Sequence, residues 1–276
     1  MSESELRILE SLARYKYLTT SQLDLLNILK NKMGLYQRLR ELRAGKKPLI
    51  ANNSFGIMPG KGKLEDFYYL TSKGQDFLIE NLEYNEQKIK APKGTSSLFA
   101  RDYFHRKETI NFYIYFDKWI NKNDGDILFL DYYFDKIGDN RSKKNLRAKN
   151  KIDIEQTGGY IIPDIVTKFT YKNEPYLFFI EQHNGKDTKK LLKQLYFHLL
   201  ALEEGKGAEK YQMQKNHRVA VIFEFESILK ATLERIQNIN EFKGFEKFFI
   251  FKTNESLNKS FFNDWIDLKR INTNLI

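Results

Sequence analysis

The sequence predicts an α/β (α+β) protein in two parts: a small, basic, mostly helical unit, then a larger α/β domain with a mixed central sheet. Three observations lead there. The first ninety residues hold short amphipathic stretches around one glycine-rich basic connection. From about residue 120 onward, apolar strand-like runs alternate with helical stretches, the pattern of an α/β layer architecture. Between them lies the polar segment Tyr84 to Ser97, with Pro92, Gly94 and Thr95, so the expected domains are 1–90 and 91–276.

Bulk properties narrow the function classes. The chain has 276 residues, 41% hydrophobic and 14% aromatic, enough apolar material for real cores. A formal charge of +10 and a pI near 9.3 favour a polyanionic partner, either nucleic acid or an anionic membrane surface. With no cysteine, disulfides and thiolate metal sites are excluded. Ser2, Glu3, Ser4 and Glu5 do not resemble a secretion signal, and no apolar run approaches the ~20 residues of a membrane span. The expectation is a cytoplasmic protein with no membrane insertion.

Taken in order, Leu6, Ile8, Leu9 and Leu12 have the spacing of an amphipathic helix over 3–14. Thr19-Thr20-Ser21 offers an N-cap to a second helix carrying Leu23, Leu25 and Leu26. A third, with Leu35, Leu39 and Leu42 inside, runs from Asn31 or Lys32 until Gly45 stops it. Pro48-Leu49-Ile50 and Phe67-Tyr68-Tyr69-Leu70 flank the glycine-rich stretch 56–62 and read as a β-hairpin, after which Thr71-Ser72 caps a fourth helix. Three helices, a hairpin and a final helix are the order of a winged helix-turn-helix. In that fold the third helix can enter a major groove while the hairpin lies along the backbone.

Charge follows the same two elements. From Lys30 to Lys63 there are nine Lys or Arg against the single acid Glu41, a local excess of eight. The expected DNA-binding residues are Tyr36, Gln37, Arg38, Arg40, Arg43, Lys46, Lys47, Lys61 and Lys63. Helical spacing prevents Arg38, Arg40 and Arg43 from sharing one face. Base-edge contact is therefore assigned to the Tyr36, Gln37 and Arg40 region, and phosphate contact to Arg43 and the four lysines. A protein-docking role for the same unit is the alternative.

In the second domain a helix is expected from about Leu98 to Trp119, then a buried strand at Ile127–Leu130. Residues 136–151 carry seven Lys or Arg against Asp139 and read as an exposed loop, either a second nucleic-acid contact or a lysine-rich excursion. Tyr160–Val166 reads as a strand, Asn173-Glu174 as a turn and Tyr176–His183 as a second strand. A helix from Asp187 to Leu202, a strand at 218–223, a helix at 227–239 and a strand at 245–251 follow. Glu181 and His183, two apart on one strand, project from the same face, and a hairpin sets Asp164 beside them. Three such ligands can converge on a divalent cation. Carboxylates favour Mg²⁺ or Mn²⁺, and an added imidazole shifts the choice toward Mn²⁺ or another transition metal. Such an ion can bind a scissile phosphate and lower the pKa of water.

Pro163-Asp164, followed seventeen residues later by Glu181-x-His183, resembles the PD-(D/E)xK nuclease superfamily, with His183 where that motif has lysine. Lys186 or Lys189 could supply a cation from the helix, without the motif spacing. The whole order of elements further resembles the plasmid replication-relaxation family, which includes the MobC-type relaxases. The matching stretches are Phe67-Tyr68-Tyr69-Leu70-Thr71-Ser72-Lys73-Gly74, His105-Arg106-Lys107-Glu108-Thr109-Ile110-Asn111, Pro163-Asp164, Glu181 and Lys193 to Tyr196, spanning roughly 5 to 235. The resemblance implies a metal-dependent strand-cleaving site acting at a plasmid origin in mobilisation, conjugation or replication. It gives Asp164 and Glu181 as metal ligands, His183 in the lysine position, and His105 and Glu108 from the first helix of the domain.

The expected catalytic set is thus Asp164, Glu181, His183, His105, Glu108 and Lys186, and the metal set Asp164, Glu181 and His183. The expected partners are origin DNA, double-stranded or locally melted, other mobilisation or replication proteins, and a second copy in a homodimer. His198 and His217 are given no role. The four histidines include no His-x-His pair, which disfavours a histidine-triad relaxase, while sixteen tyrosines leave a tyrosine nucleophile open. The alternatives are a non-catalytic origin-binding accessory protein or repressor with a degenerate nuclease domain, and a restriction-type endonuclease with no plasmid role.

Overall fold

The computed structural model describes residues 1–92, 102–138 and 146–276. The end of the expected linker (93–97), the start of the expected helix (98–101) and residues 139–145 of the basic 136–151 stretch lie outside the described residues. The chain divides into two compact units, Met1–Ile114 and Tyr115–Ile276, with the division inside the helix Tyr103–Ile120.

Unit 1 begins with α1 (Glu3–Tyr15). Its Ser2 cap and Glu5 form a reciprocal capping box that satisfies two otherwise orphaned N–H groups. Thr19 and Gln22 do the same for α2 (Thr20–Leu25), and Asn31 caps α3 (Lys32–Arg43). Strands β1 (Ile50–Asn53) and β4 (Phe67–Leu70) pair antiparallel from Ile50↔Leu70 to Asn53↔Phe67. The connection between them folds as a smaller hairpin, β2 (Ile57–Met58) with β3 (Gly62–Lys63). Leu18 bridges to Tyr68, so the segment between α1 and α2 lies against the free side of β4. Ile8, Leu9, Leu12, Leu23, Leu35, Leu39, Leu42, Phe67 and Leu70 are almost wholly buried, and their 3.6-residue repeat is what turns α1 and α3 inward. Helix α4 (Ser72–Leu82), capped by Thr71, closes the unit. Its Gly74 is fixed by space: a Cβ there would overlap the carbonyl oxygen of Leu49. The long helix α5 (Tyr103–Ile120) follows.

Unit 2 is built on a seven-stranded sheet. Its strands are β5 (Gly125–Tyr132), β10 (Ile165–Tyr171), β11 (Glu174–His183), β12 (Arg218–Phe223), β13 (Phe249–Thr253), β14 (Trp265–Asp267) and β15 (Asn272–Thr273), in the order β15-β14-β13-β12-β11-β10-β5. The neighbours β11–β12 and β12–β13 are parallel and the others antiparallel. Two small ribbons, β6 (Lys136–Ile137) with β7 (Arg147–Ala148) and β8 (Ile152–Ile154) with β9 (Gly159–Ile161), lie in the β5–β10 connection. The parallel crossovers are helical, as their length requires. Helices α6 (Thr188–Glu203) and α7 (Lys206–Tyr211) link β11 to β12, α8 (Glu226–Ile236) links β12 to β13, and α9 (Asn254–Lys259) follows β13.

One core cluster joins Leu191, Leu195, Leu199 and Leu202 of α6 to Val219, Val221 and Phe223 of β12 and to Leu229 and Leu233 of α8. A second joins Leu200 and Ala201 to Phe179, Val166 and the β8–β9 ribbon. On the opposite face Phe116 packs edge-on against Phe169 at 4.9 Å. Arg218, at the start of β12, donates from Nη1 to the carbonyl of Leu275 at 2.7 Å and from Nε to that of Lys247 at 3.0 Å. Among the described residues, no helix is long and apolar enough to cross a membrane.

Most expected elements recur with shifted ends. One differs in kind: the single strand expected over Tyr160–Val166 is two. The chain leaves the β8–β9 ribbon at Ile161 and enters the main sheet at Ile165, so Asp164 precedes its strand instead of ending it. Pro163, which has no N–H to give a ladder, sits at the break. The β6–β9 ribbons and the last two strands of the sheet were not expected.

Candidate functional site

The β10–β11 hairpin positions the expected carboxylates. Its turn places Lys172 and Asn173 at φ 49° and 63°, the left-handed pair that tight two-residue hairpins use. Ile165 pairs with Ile180, which brings Asp164 level with Glu181 one step beyond the ladder. On β11 the residues Leu177, Phe179 and Glu181 share the face toward α6, the same face that carries Val166. Asp164 and Glu181 are 8% and 2% exposed, and their side chains are close enough to hydrogen-bond.

Both Glu181 oxygens and one Asp164 carboxylate oxygen have defined partners. Asp164 Oδ2 accepts from the Gln182 N–H at 2.7 Å, and its own carbonyl accepts from Tyr133 N at 2.9 Å. Asn150 Nδ2 holds the Pro163 carbonyl just before it. Glu181 Oε1 lies 2.5 Å from His198 Nε2, and Gln194 Nε2 donates to Oε2. Burial first, and then the Asp164 charge and hydrogen bond, push the Glu181 carboxyl well above the usual carboxylate range. Burial also drives the His198 imidazole down to about 3. The His198–Glu181 contact has the distance of an ion pair, but burial disfavours the charged form of both partners. His217, fully buried and stacked 3.8 Å from Phe179, is pushed well below 6.5 by burial and by nearby His198.

The remaining expected site residues are dispersed. His183 shares the Glu181 face, but two residues of strand advance set it ~7 Å further along, where its ring meets Phe223 edge-on. Among the described residues, no group of three or more His, Asp or Glu side chains could hold a metal ion. Lys186 is exposed in the turn before α6. His105 and Glu108 belong to unit 1, where the His105 carbonyl accepts from Thr109 Oγ1 and Glu108 accepts from Asn111 Nδ2.

In unit 1, the exposed face of α3 carries Met33, Tyr36, Gln37 and Arg40, with Met33 80% and Tyr36 55% exposed. Gln37 and Arg38 both donate to Glu41, so Arg38 is turned away from the Tyr36–Arg40 side. Arg43 reaches across to Asn52 of β1 at 2.7 Å and lies over the Tyr68 ring. Lys46, Lys47, Lys61 and Lys63 are exposed, with Lys61 Nζ 5.3 Å from the Phe104 ring.

Sequence reasoning gave His198 no role, and the structure makes it a direct partner of Glu181. A signal was present. Gln194 and His198 fall one turn apart on a helix whose inner positions are otherwise leucine, and two polar groups at buried spacing need an interior partner.

The chain matches no family model, no curated protein and no solved structure.

Proposed function

We propose that this is a DNA-binding and DNA-nicking protein. In this reading unit 1 is a winged helix-turn-helix that grips origin DNA, and unit 2 is a PD-(D/E)xK-like domain that opens one strand in plasmid mobilisation or replication. The observation that carries the catalytic part is the buried Asp164–Glu181 pair, two acids side by side, one just before β10 and the other on the neighbouring β11. Two adjacent buried acids repel each other when both are charged, and a hard dication between them would relieve that. Mg²⁺ is commonly bound by only one or two carboxylates, with water and substrate phosphate completing its shell, so the pair fits Mg²⁺ or Mn²⁺ without a third protein ligand. The ion would supply charge neutralisation and an acidified water. Asp164 and Glu181 would hold it, Gln194 and His198 would fix the orientation of Glu181, and the basic α3 and the β2–β3 hairpin would hold the duplex. Support for the DNA reading is the exposed Tyr36, Arg40, Lys46, Lys47, Lys61 and Lys63, in a stretch with one acid.

The test is nicking of supercoiled origin-containing plasmid with Mg²⁺ or Mn²⁺. Asp164→Asn is expected to abolish nicking while leaving DNA binding intact, and Mn²⁺ is expected to raise the melting temperature of the wild type but not of Asp164→Asn. Equal nicking by the two proteins removes the catalytic reading.

A second reading is favoured by one observation. Glu181 is 2% exposed and already satisfied by Gln194 and His198, as a structural buried network would be. Under it the chain is a non-catalytic origin-binding accessory protein or repressor. Salt-dependent, sequence-specific binding with no nicking and no Mn²⁺-induced stabilisation would select it.

A further inference from the structure

Helix α6 has one face that the Asp164–Glu181 site does not use. Gln194 and His198 point to Glu181. Beside that stripe, Lys186, Lys189, Lys190 and Lys193 are all exposed, with Tyr196 at the far end, 37% exposed. On the helix, positions 189, 193 and 196 recur at four and three residues with Lys190 beside them, and Lys186 lies in the turn just before it, so the cations gather along the start of α6. None of the four forms an ion pair with a described residue, as is also true of Lys243 and Lys247 in this unit. The first turn of α6 contains no acid, and the nearby Asp187 is occupied capping the Lys190 N–H. Cations crowded at the start of a helix oppose its dipole, so folding alone does not account for them.

We infer that the Lys186–Lys189–Lys190–Lys193 row is a second DNA-binding surface, a track for the phosphates of the strand that is brought to Asp164 and Glu181. Charge decides the occupant: four unpaired ammonium groups fit a polyanion with regularly spaced charges. The row is continuous with the residues that hold Glu181, because Lys190 lies one turn before Gln194. Tyr196 offers a ring on which a base can stack where the strand leaves the row. The inference rests on the DNA reading above and extends it from unit 1 to unit 2.

The experiment measures affinity of the full chain for duplex and single-stranded DNA across a salt series. It compares the wild type with a quadruple Lys→Gln variant at 186, 189, 190 and 193. A matched variant removes four ion-paired lysines instead, Lys215, Lys230, Lys259 and Lys269. Each lost phosphate contact lowers the log–log salt slope by about 0.9 on duplex or 0.7 on single strands. The α6 variant is expected to lose about 2 to 4 from the slope and at least roughly tenfold in affinity at low salt, while the matched variant stays near wild type. An unchanged slope in the α6 variant, or an equal loss in both variants, overturns the inference and leaves DNA binding by unit 1 standing. If the wild type binds no DNA, the broader reading falls as well. A Lys46, Lys47, Lys61 and Lys63→Gln variant, read in the same series, reports on unit 1 separately.

Discussion

His198 is fully buried and neutral, and that has a cost in acid. Its folded pKa of about 3 lies below the 6.5 of the unfolded chain, so the unfolded state binds the extra proton. The stability linked to this group is whole above pH 6.5 and is lost as the pH falls toward 3. Glu181 has the opposite sign: its raised pKa gives stability that is present in acid and is lost as the pH rises above the ordinary carboxylate range. Between pH 7 and pH 4 the His198 contribution falls by about 3 kcal/mol. His198→Phe is therefore expected to be less stable than wild type at pH 7, because Glu181 Oε1 loses its partner, but to lose less on acidification. Urea unfolding at the two pH values checks this, and parallel losses would show that His198 is not held neutral. The same residue shows why part of the site was hard to read beforehand. Asp164 and Glu181 stand out because acids at strand ends are conspicuous. A histidine within a leucine-rich helix becomes informative only once the strand it faces is known.

At the level of elements, local rules account for most of what was legible. Caps at Thr19 and Thr71, the leucine repeat in α3 and the paired apolar runs around the glycine-rich connection all determine structure within a few residues. What was not legible depends on distant partners. The β8–β9 ribbon and the terminal strands β14 and β15 are two or three residues long and carry too little pattern to register. Likewise, the expected strand ran straight through Pro163, and only the pairing of Ile165 with Ile180 shows that the main-sheet strand begins after it. Gly74 gives a sharp test of element packing. Alanine is the better helix former by up to ~1 kcal/mol, yet at Gly74, in the first turn of α4, its methyl overlaps the Leu49 carbonyl. Gly74→Ala is expected to destabilise unit 1 by roughly 1–3 kcal/mol, seen as a lower melting temperature, and an increase would mean that α4 can shift away from Leu49 without cost.

At the scale of the molecule, the two units divide the proposed labour, with the dense positive charge in unit 1 and the paired acids in unit 2. Unit 2 also has an order-of-assembly constraint built into Arg218. This guanidinium begins an interior strand, and burial lowers its pKa, yet one of its acceptors, the Leu275 carbonyl, is fifty-seven residues downstream. Until that stretch has folded back, the middle of the sheet holds a cation lacking one of its acceptors, so the packing around Arg218 is completed only when the 272–276 segment docks. Deleting 274–276 should hold the domain in that unfinished condition, with a melting temperature well below that of the intact chain, and Arg218→Met should recover part of the loss by taking the stranded charge away.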